Sequence, residues 1–155
     1  MKKNECRHFT DSVMYALEQT AVYGRVKAAQ MFTELGIPVT SEQYITLDAI
    51  SMNPDICQRD LAKIILKDRS NTGRILTILE QNEYIERKAE TKGKRLVRKI
   101  YITEKGKNII EQYQLKLNQA FYKVFEEITE DEFDTIKQIL AKMKNCLSKE
   151  TTLQI

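Results

Sequence analysis

Apolar and small residues recur every three or four positions at Phe9, Val13, Ala16, Leu17, Thr20, Gly24, Ala28, Met31, Phe32 and Leu35. That is the spacing of one helix face, and it predicts a long helix over 9–35. Gly36 and Pro38 end it, a glycine stop followed by a residue that cannot continue a helix. Thr40-Ser41-Glu42-Gln43 has the form of a capping box and opens a second helix carrying Tyr44, Ile45, Leu47, Ala49 and Ile50, closed at Asn53-Pro54. A short third helix follows over 58–66, with Leu61, Ala62, Ile64, Ile65 and Leu66 apolar. Cys57 precedes it, where a serine or threonine cap is more usual.

The fourth helix, over 69–82 with Asp68 as its N-cap, is patterned differently. Its apolar residues Ile75, Leu76, Ile78 and Leu79 lie in its second half, and its front is Arg69, Ser70, Asn71, Thr72, Gly73 and Arg74. A helix built only to pack carries its apolar stripe from end to end. Ser70, Asn71 and Arg74 share a face by their three- and four-residue spacing. They are residue types that pair with base edges or phosphates, although a solvated helix start reads the same way. Two strands come next, Tyr84–Lys88 and Leu96–Thr103, around a polar turn at 89–95 that contains Gly93. Thr103 caps a fifth helix running to about Glu127. Its apolar positions are Ile110, Tyr113, Leu117, Ala120, Phe121 and Val124. Thr129 and Glu132 form a second capping box ahead of a sixth helix carrying Phe133, Ile136, Ile139, Leu140, Met143 and Leu147.

Charge changes this picture at one place. Arg87, Lys88, Lys92, Lys94, Arg95, Arg98 and Lys99 are opposed only by Glu90, a net +6 in a chain whose total is +3, which leaves −3 for the rest. A compact positive segment on a slightly acidic body is the footprint of a polyanion-binding protein; by itself it also fits a solvated loop. Its place after a polar-fronted helix favours DNA. The order is that of a winged helix-turn-helix, mainly α with a small β-hairpin wing at 84–103. The fold class expected is therefore a winged helix-turn-helix with long dimerisation helices from both termini. Residues 40–103 form the DNA-binding domain, and 1–39 with 104–155 the helical dimerisation region. The long amphipathic helices leave more apolar surface than so small a body covers; a two-fold homodimer buries it, and the alternative is one helical core closing on itself within a monomer.

Other chemistry is sparse. His8 is the single histidine, and Cys6, Cys57 and Cys146 are scattered, so neither a metal site nor a catalytic set is expected, and no cofactor. An enzyme is not expected. No apolar run suits a membrane span or a signal peptide, which points to the cytoplasm. A winged-helix module that binds protein or RNA is the alternative reading.

In order and spacing the chain resembles the MarR family of transcriptional regulators over about residues 8–148. The resemblance rests on Ser41–Leu47, Gln58-Arg59-Asp60-Leu61-Ala62, Lys67–Leu76, Leu79–Arg87 and Ile102-Thr103-Glu104-Lys105-Gly106. It implies a homodimer joined by the first, fifth and sixth helices, bound to pseudo-palindromic double-stranded DNA, commonly as a repressor. Recognition then falls to Arg69, Ser70, Asn71, Thr72 and Arg74, with Arg87, Lys88, Lys92, Lys94, Arg95 and Arg98 from the wing. Two residues depart from the family pattern. Glu83 stands where a glycine is usual. The wing has Glu90-Thr91-Lys92-Gly93-Lys94-Arg95 in place of an Asp-x-Arg motif, so Lys92, Lys94 and Arg95 are all candidates for the minor groove. The resemblance also implies a small-molecule effector pocket, for which Tyr15, Tyr23, Met31 and Tyr44 are candidates; ordinary core is the other reading. Some relatives sense peroxide through a cysteine near the start of the first helix. Cys6, beside Lys3 and Arg7, stands there, and an inert thiol is the alternative.

Overall fold

The computed structural model describes residues 8–92 and 95–151. Its elements are a 3-10 turn at Phe9–Asp11, α1 (Val13–Glu34), α2 (Ser41–Ser51), β1 (Ile56–Cys57), α3 (Gln58–Ile64), α4 (Arg69–Gln81), β2 (Ile85–Lys92), β3 (Arg95–Ile102), α5 (Glu104–Val124) and α6 (Glu130–Glu150). The order and helix limits follow the sequence pattern closely. The chain divides into two compact units, Met1–Ser41 and Glu42–Ile155.

In the first unit, Ser12 caps α1 by accepting the Tyr15 backbone N–H at 3.1 Å. Gly36 ends it at φ +62°. The Gly36 and Ile37 amides return to the carbonyls of Thr33 and Phe32 at 3.1 and 2.9 Å, which is the Schellman stop. Met31, Phe32, Ile37 and Val39 are buried, while Val13, Met14, Val22, Tyr23 and Val26 are exposed.

In the second unit, Leu47 and Ile50 of α2, Leu61 and Ala62 of α3, and Leu76 and Leu79 of α4 are almost wholly buried, together with Ile85 and Ile100 of the sheet. Burying each large apolar side chain contributes about 1.5–3 kcal/mol, so these few residues hold the three short helices against the sheet. α5 is tied to this body at its start. Thr103 caps it by accepting the Gly106 N–H at 3.1 Å, and the Tyr44 hydroxyl donates to the Ile110 carbonyl at 3.3 Å. A Cβ at Gly106 would lie 2.2 Å from the Tyr84 carbonyl oxygen, so only glycine fits. These ties place α5 with residues 42–103 in one unit. At the far end, the Phe121, Phe125 and Phe133 rings meet at 4.7–6.1 Å and join α5 to α6. The Thr129–Glu132 capping box forms as expected.

The sheet differs from expectation in two ways. It has three strands in the order β1-β3-β2, because Ile56 and Cys57 pair with Ile100 and Lys99. A two-residue strand carries no period to read. The wing strands also run further than 84–88 and 96–103: Ala89, Glu90, Thr91 and Lys92 pair with Arg98, Val97, Leu96 and Arg95. Ala89, Glu90 and Thr91 are all exposed, so no apolar alternation marks them as strand. Cys57 is both the end of β1 and the N-cap of α3, with extended backbone and no cap bond from its side chain. Its thiol instead donates to the Asp60 carboxylate at 3.1 Å.

Candidate nucleic-acid interface

The polar front of α4 is exposed. Arg69, Ser70, Asn71 and Arg74 are open to solvent, and Ile75, Leu76 and Leu79 behind them are buried. The apolar half therefore anchors the helix and leaves its first turns projecting. Asp68 caps this end by accepting the Asn71 backbone N–H at 2.8 Å, and the Asn71 side-chain amide also donates to it. These bonds hold the Asp68 carboxyl below the usual range, the backbone bond from Asn71 first. Asn71 is thus partly engaged as a second cap, which leaves Arg69, Ser70 and Arg74 as the projecting set.

Thr72 does not belong with them. It is wholly buried, and its hydroxyl donates to the Asp68 carbonyl at 2.8 Å. It faces the core because it lies three and four residues before Ile75 and Leu76. The sequence expectation that it contacts DNA is corrected accordingly.

The wing's positive charge is distributed unevenly. Arg87 donates from Nε to Glu80 of α4 at 2.9 Å and again from its second guanidinium nitrogen. This pair pulls the Glu80 carboxyl below its ordinary range, the hydrogen bond from Arg87 first. Arg87 therefore braces the wing on α4. Lys88 pairs with Glu86 at 2.6 Å and lies 5.4 Å from the centre of the Tyr101 ring. Lys99 donates to the Asp55 carbonyl. Tyr101 donates to Glu90, which pushes its hydroxyl pKa upward. Arg98 is exposed. Arg87, Lys88 and Lys99 are thus matched locally. Lys92 and Arg95 face each other across the last pair of the hairpin. Lys94 lies outside the described residues, as does Cys6.

Within α1 the pocket candidates do not converge. Met31 is buried and Tyr23 is exposed. The Tyr15 ring sits edge-on to Phe9 at 6.0 Å, and the Tyr44 hydroxyl is used on Ile110. Tyr15 and Met31 are separated along α1 by about 24 Å, from the rise of about 1.5 Å per residue. Sequence spacing put them on related helix faces without showing this distance. Several positioning residues escaped the sequence reading: Gln58, Glu80, Glu90 and Tyr101. Their polar side chains act through partners distant in sequence, and no local pattern announces that.

Comparison with known proteins finds a family likeness over part of the chain. A family model described as "MarR family" matches residues 35–96, which span α2 to the wing. Over these residues the chain is similar to the MarR family. One similar protein is the uncharacterized HTH-type transcriptional regulator YybA of Bacillus subtilis (strain 168). It is 26% identical over 114 residues, covering 74% of this chain and 75% of YybA. Among solved structures, the transcriptional regulator SlyA aligns with TM-score 0.75 at 25% identity, covering 90% of this chain and 96% of SlyA. A mutant of MarR from E. coli, complexed with operator DNA, aligns with TM-score 0.73 at 24% identity, covering 87% and 96%. Among the described residues, no helix is long and apolar enough to cross a membrane, and no three His, Cys, Asp or Glu residues group as a metal site.

Proposed function

We propose that this chain is a DNA-binding transcriptional regulator of the MarR family, which acts as a homodimer and represses transcription by occupying a pseudo-palindromic double-stranded DNA site. Residues 40–103 read the DNA, and the helices of 1–39 and 104–155 join the two copies. One observation carries the reading: α4 presents Arg69, Ser70 and Arg74 outward from an apolar anchor, with the wing braced to the same helix through Arg87 and Glu80. A helix held this way enters a major groove, and a basic hairpin beside it reaches the flanking backbone or minor groove. The E. coli MarR mutant was solved on operator DNA, which supports the same role for this fold. Phosphate contacts from Arg98, Lys92, Lys94 and Arg95 supply affinity, and α4 supplies sequence choice.

The dimer is supported by α6. This helix is described throughout and has no buried residue, although Ile136, Ile139, Leu140 and Leu147 recur along it at helical spacing and stand exposed. The test begins with selection of bound fragments from genomic DNA, followed by anisotropy titration on the selected duplex. Sequence-selective duplex binding that weakens steeply with salt is the expected result. Binding that prefers single strands, or ignores sequence, overturns the reading. Reduced transcript from a template carrying the site, on adding the protein, tests repression.

A further inference from the structure

Beside the projecting residues of α4, an exposed contact from a side chain of α3 reaches its first turn. Gln58 opens α3, and its Nε2 donates to the carbonyl of Arg69, the first residue of α4, at 2.9 Å. A Cβ placed on Gly73 would stand 3.1 Å from Gln58 Nε2 and 3.9 Å from its Cδ, and among the described residues no other group lies within 4 Å of that point apart from the two adjoining residues and the helix's own backbone. Glycine is a poor helix former, costing about 1 kcal/mol against alanine in a helix interior. Its use in the second turn of α4 has a steric explanation: it leaves the space in which the Gln58 amide lies. The Asp68 cap satisfies donors of the first turn, but that cap is local to α4 and ties it to no other helix. Gln58 does.

We propose that Gln58 is a positioning residue for DNA recognition. Its amide, seated over Gly73, clamps the start of α4 to α3, so that Arg69, Ser70 and Arg74 meet the base pairs in one register. The inference rests on α4 being the DNA-reading helix. It predicts that loosening the clamp lowers discrimination between sequences more than affinity for DNA in general, since the phosphate-contacting charges are untouched.

The experiment compares wild type, Gln58→Ala, Gln58→Glu, Gly73→Ala and the Gln58→Ala/Gly73→Ala double variant. Anisotropy titrations on the selected duplex and on a scrambled duplex give a specificity ratio for each. Amide hydrogen exchange of Asn71 to Arg74 in the free protein gives a readout that needs no DNA. Gln58→Ala is expected to lower the ratio about fivefold, the equivalent of one net hydrogen bond, with scrambled-duplex affinity unchanged and first-turn exchange faster; Gln58→Glu is expected to lower the ratio likewise, its added negative charge also weakening both duplexes alike. Gly73→Ala favours the helix intrinsically, yet it is expected to lower the ratio too, by displacing the amide. In the Gln58→Ala background it is expected to cost nothing further, because the space it fills is then empty. An unchanged ratio and unchanged exchange in Gln58→Ala overturn the proposal, and so does a Gly73→Ala loss that persists without Gln58. If wild type shows no sequence-selective binding, the DNA reading fails on its own. Exchange then decides the clamp: faster exchange in Gln58→Ala upholds it, and unchanged exchange removes it.

Discussion

Gly36, Leu66 and Glu83 each follow a helix in the left-handed region, at φ +62°, +53° and +61°. Only the first carries no side chain to resist it. At Glu83 the full Schellman pattern is present: its own amide returns to the Glu80 carbonyl and that of Tyr84 to Leu79, both at 2.9 Å. A non-glycine residue in this region costs about 1–2 kcal/mol. The Glu83 side chain is 80% exposed and its ion pair with Lys105 is a surface pair, worth little. Glu83→Gly is therefore expected to raise stability by up to about 1 kcal/mol, after the extra freedom glycine gains in the unfolded chain; urea unfolding measures it. Gly106 is the opposite case. Gly106→Ala drives a methyl into the Tyr84 carbonyl and is expected to destabilise by about 1–3 kcal/mol or more, seen as a lower Tm. At Arg74 the expectation concerns binding. Arg74→Ala should cost about 1–3 kcal/mol on the selected duplex if it reads a base, and little on a scrambled one. Equal losses on both would make Arg74 a phosphate contact.

At the scale of elements, the wing is positioned by its root and charged at its tip. Glu80 carries a lowered pKa in the folded state because Arg87 holds it ionised. A carboxyl with a depressed folded pKa contributes stability that is present above its unfolded value, about 4.3, and is lost as pH falls through the folded one. Acid unfolding is thus expected to be less steep below about pH 4.3 in Glu80→Gln, whose wing root no longer titrates. Identical acid profiles for the two proteins would remove this pair from the account. The sequence placed the wing correctly from its basic run and the strands at its root. It missed the outer half of both strands, since Glu90, Thr91 and Lys92 are polar on both faces. It counted Arg87 as free charge because Glu80 lies on another element, and Lys88 because Glu86, which shares its strand face two residues before, was left out of the count. Thr72 was misplaced for a related reason: a threonine inside a polar run looks exposed until the buried neighbours Ile75 and Leu76 fix which way the helix faces.

For the whole molecule the open question is what covers α6. Ile136, Ile139, Leu140 and Leu147 are each 40–50% exposed, so removing the rest of their surface from water contributes about 1 kcal/mol apiece. Sedimentation is expected to show a dimer, and Leu140→Glu to shift it toward monomer with the helical circular dichroism retained. A wild-type monomer at micromolar concentration would contradict the dimer. DNA affinity is expected to fall with salt in proportion to the phosphates contacted. Arg98→Ala should reduce the slope of log K against log salt by about 1 while weakening all duplexes alike.

The sequence by itself determined the helices, their caps and the place of the wing, because periodicity, cap residues and charge runs are local and are written within a few positions of one another. It also showed that α4 has a polar front. Only the tertiary structure decided which of those front residues project, that Ile56 and Cys57 add a third strand, that Arg87 is spent on Glu80, and that Gln58 reaches Arg69 over Gly73. Each of these joins residues from different elements, and such contacts exist only once apolar burial has brought the elements together.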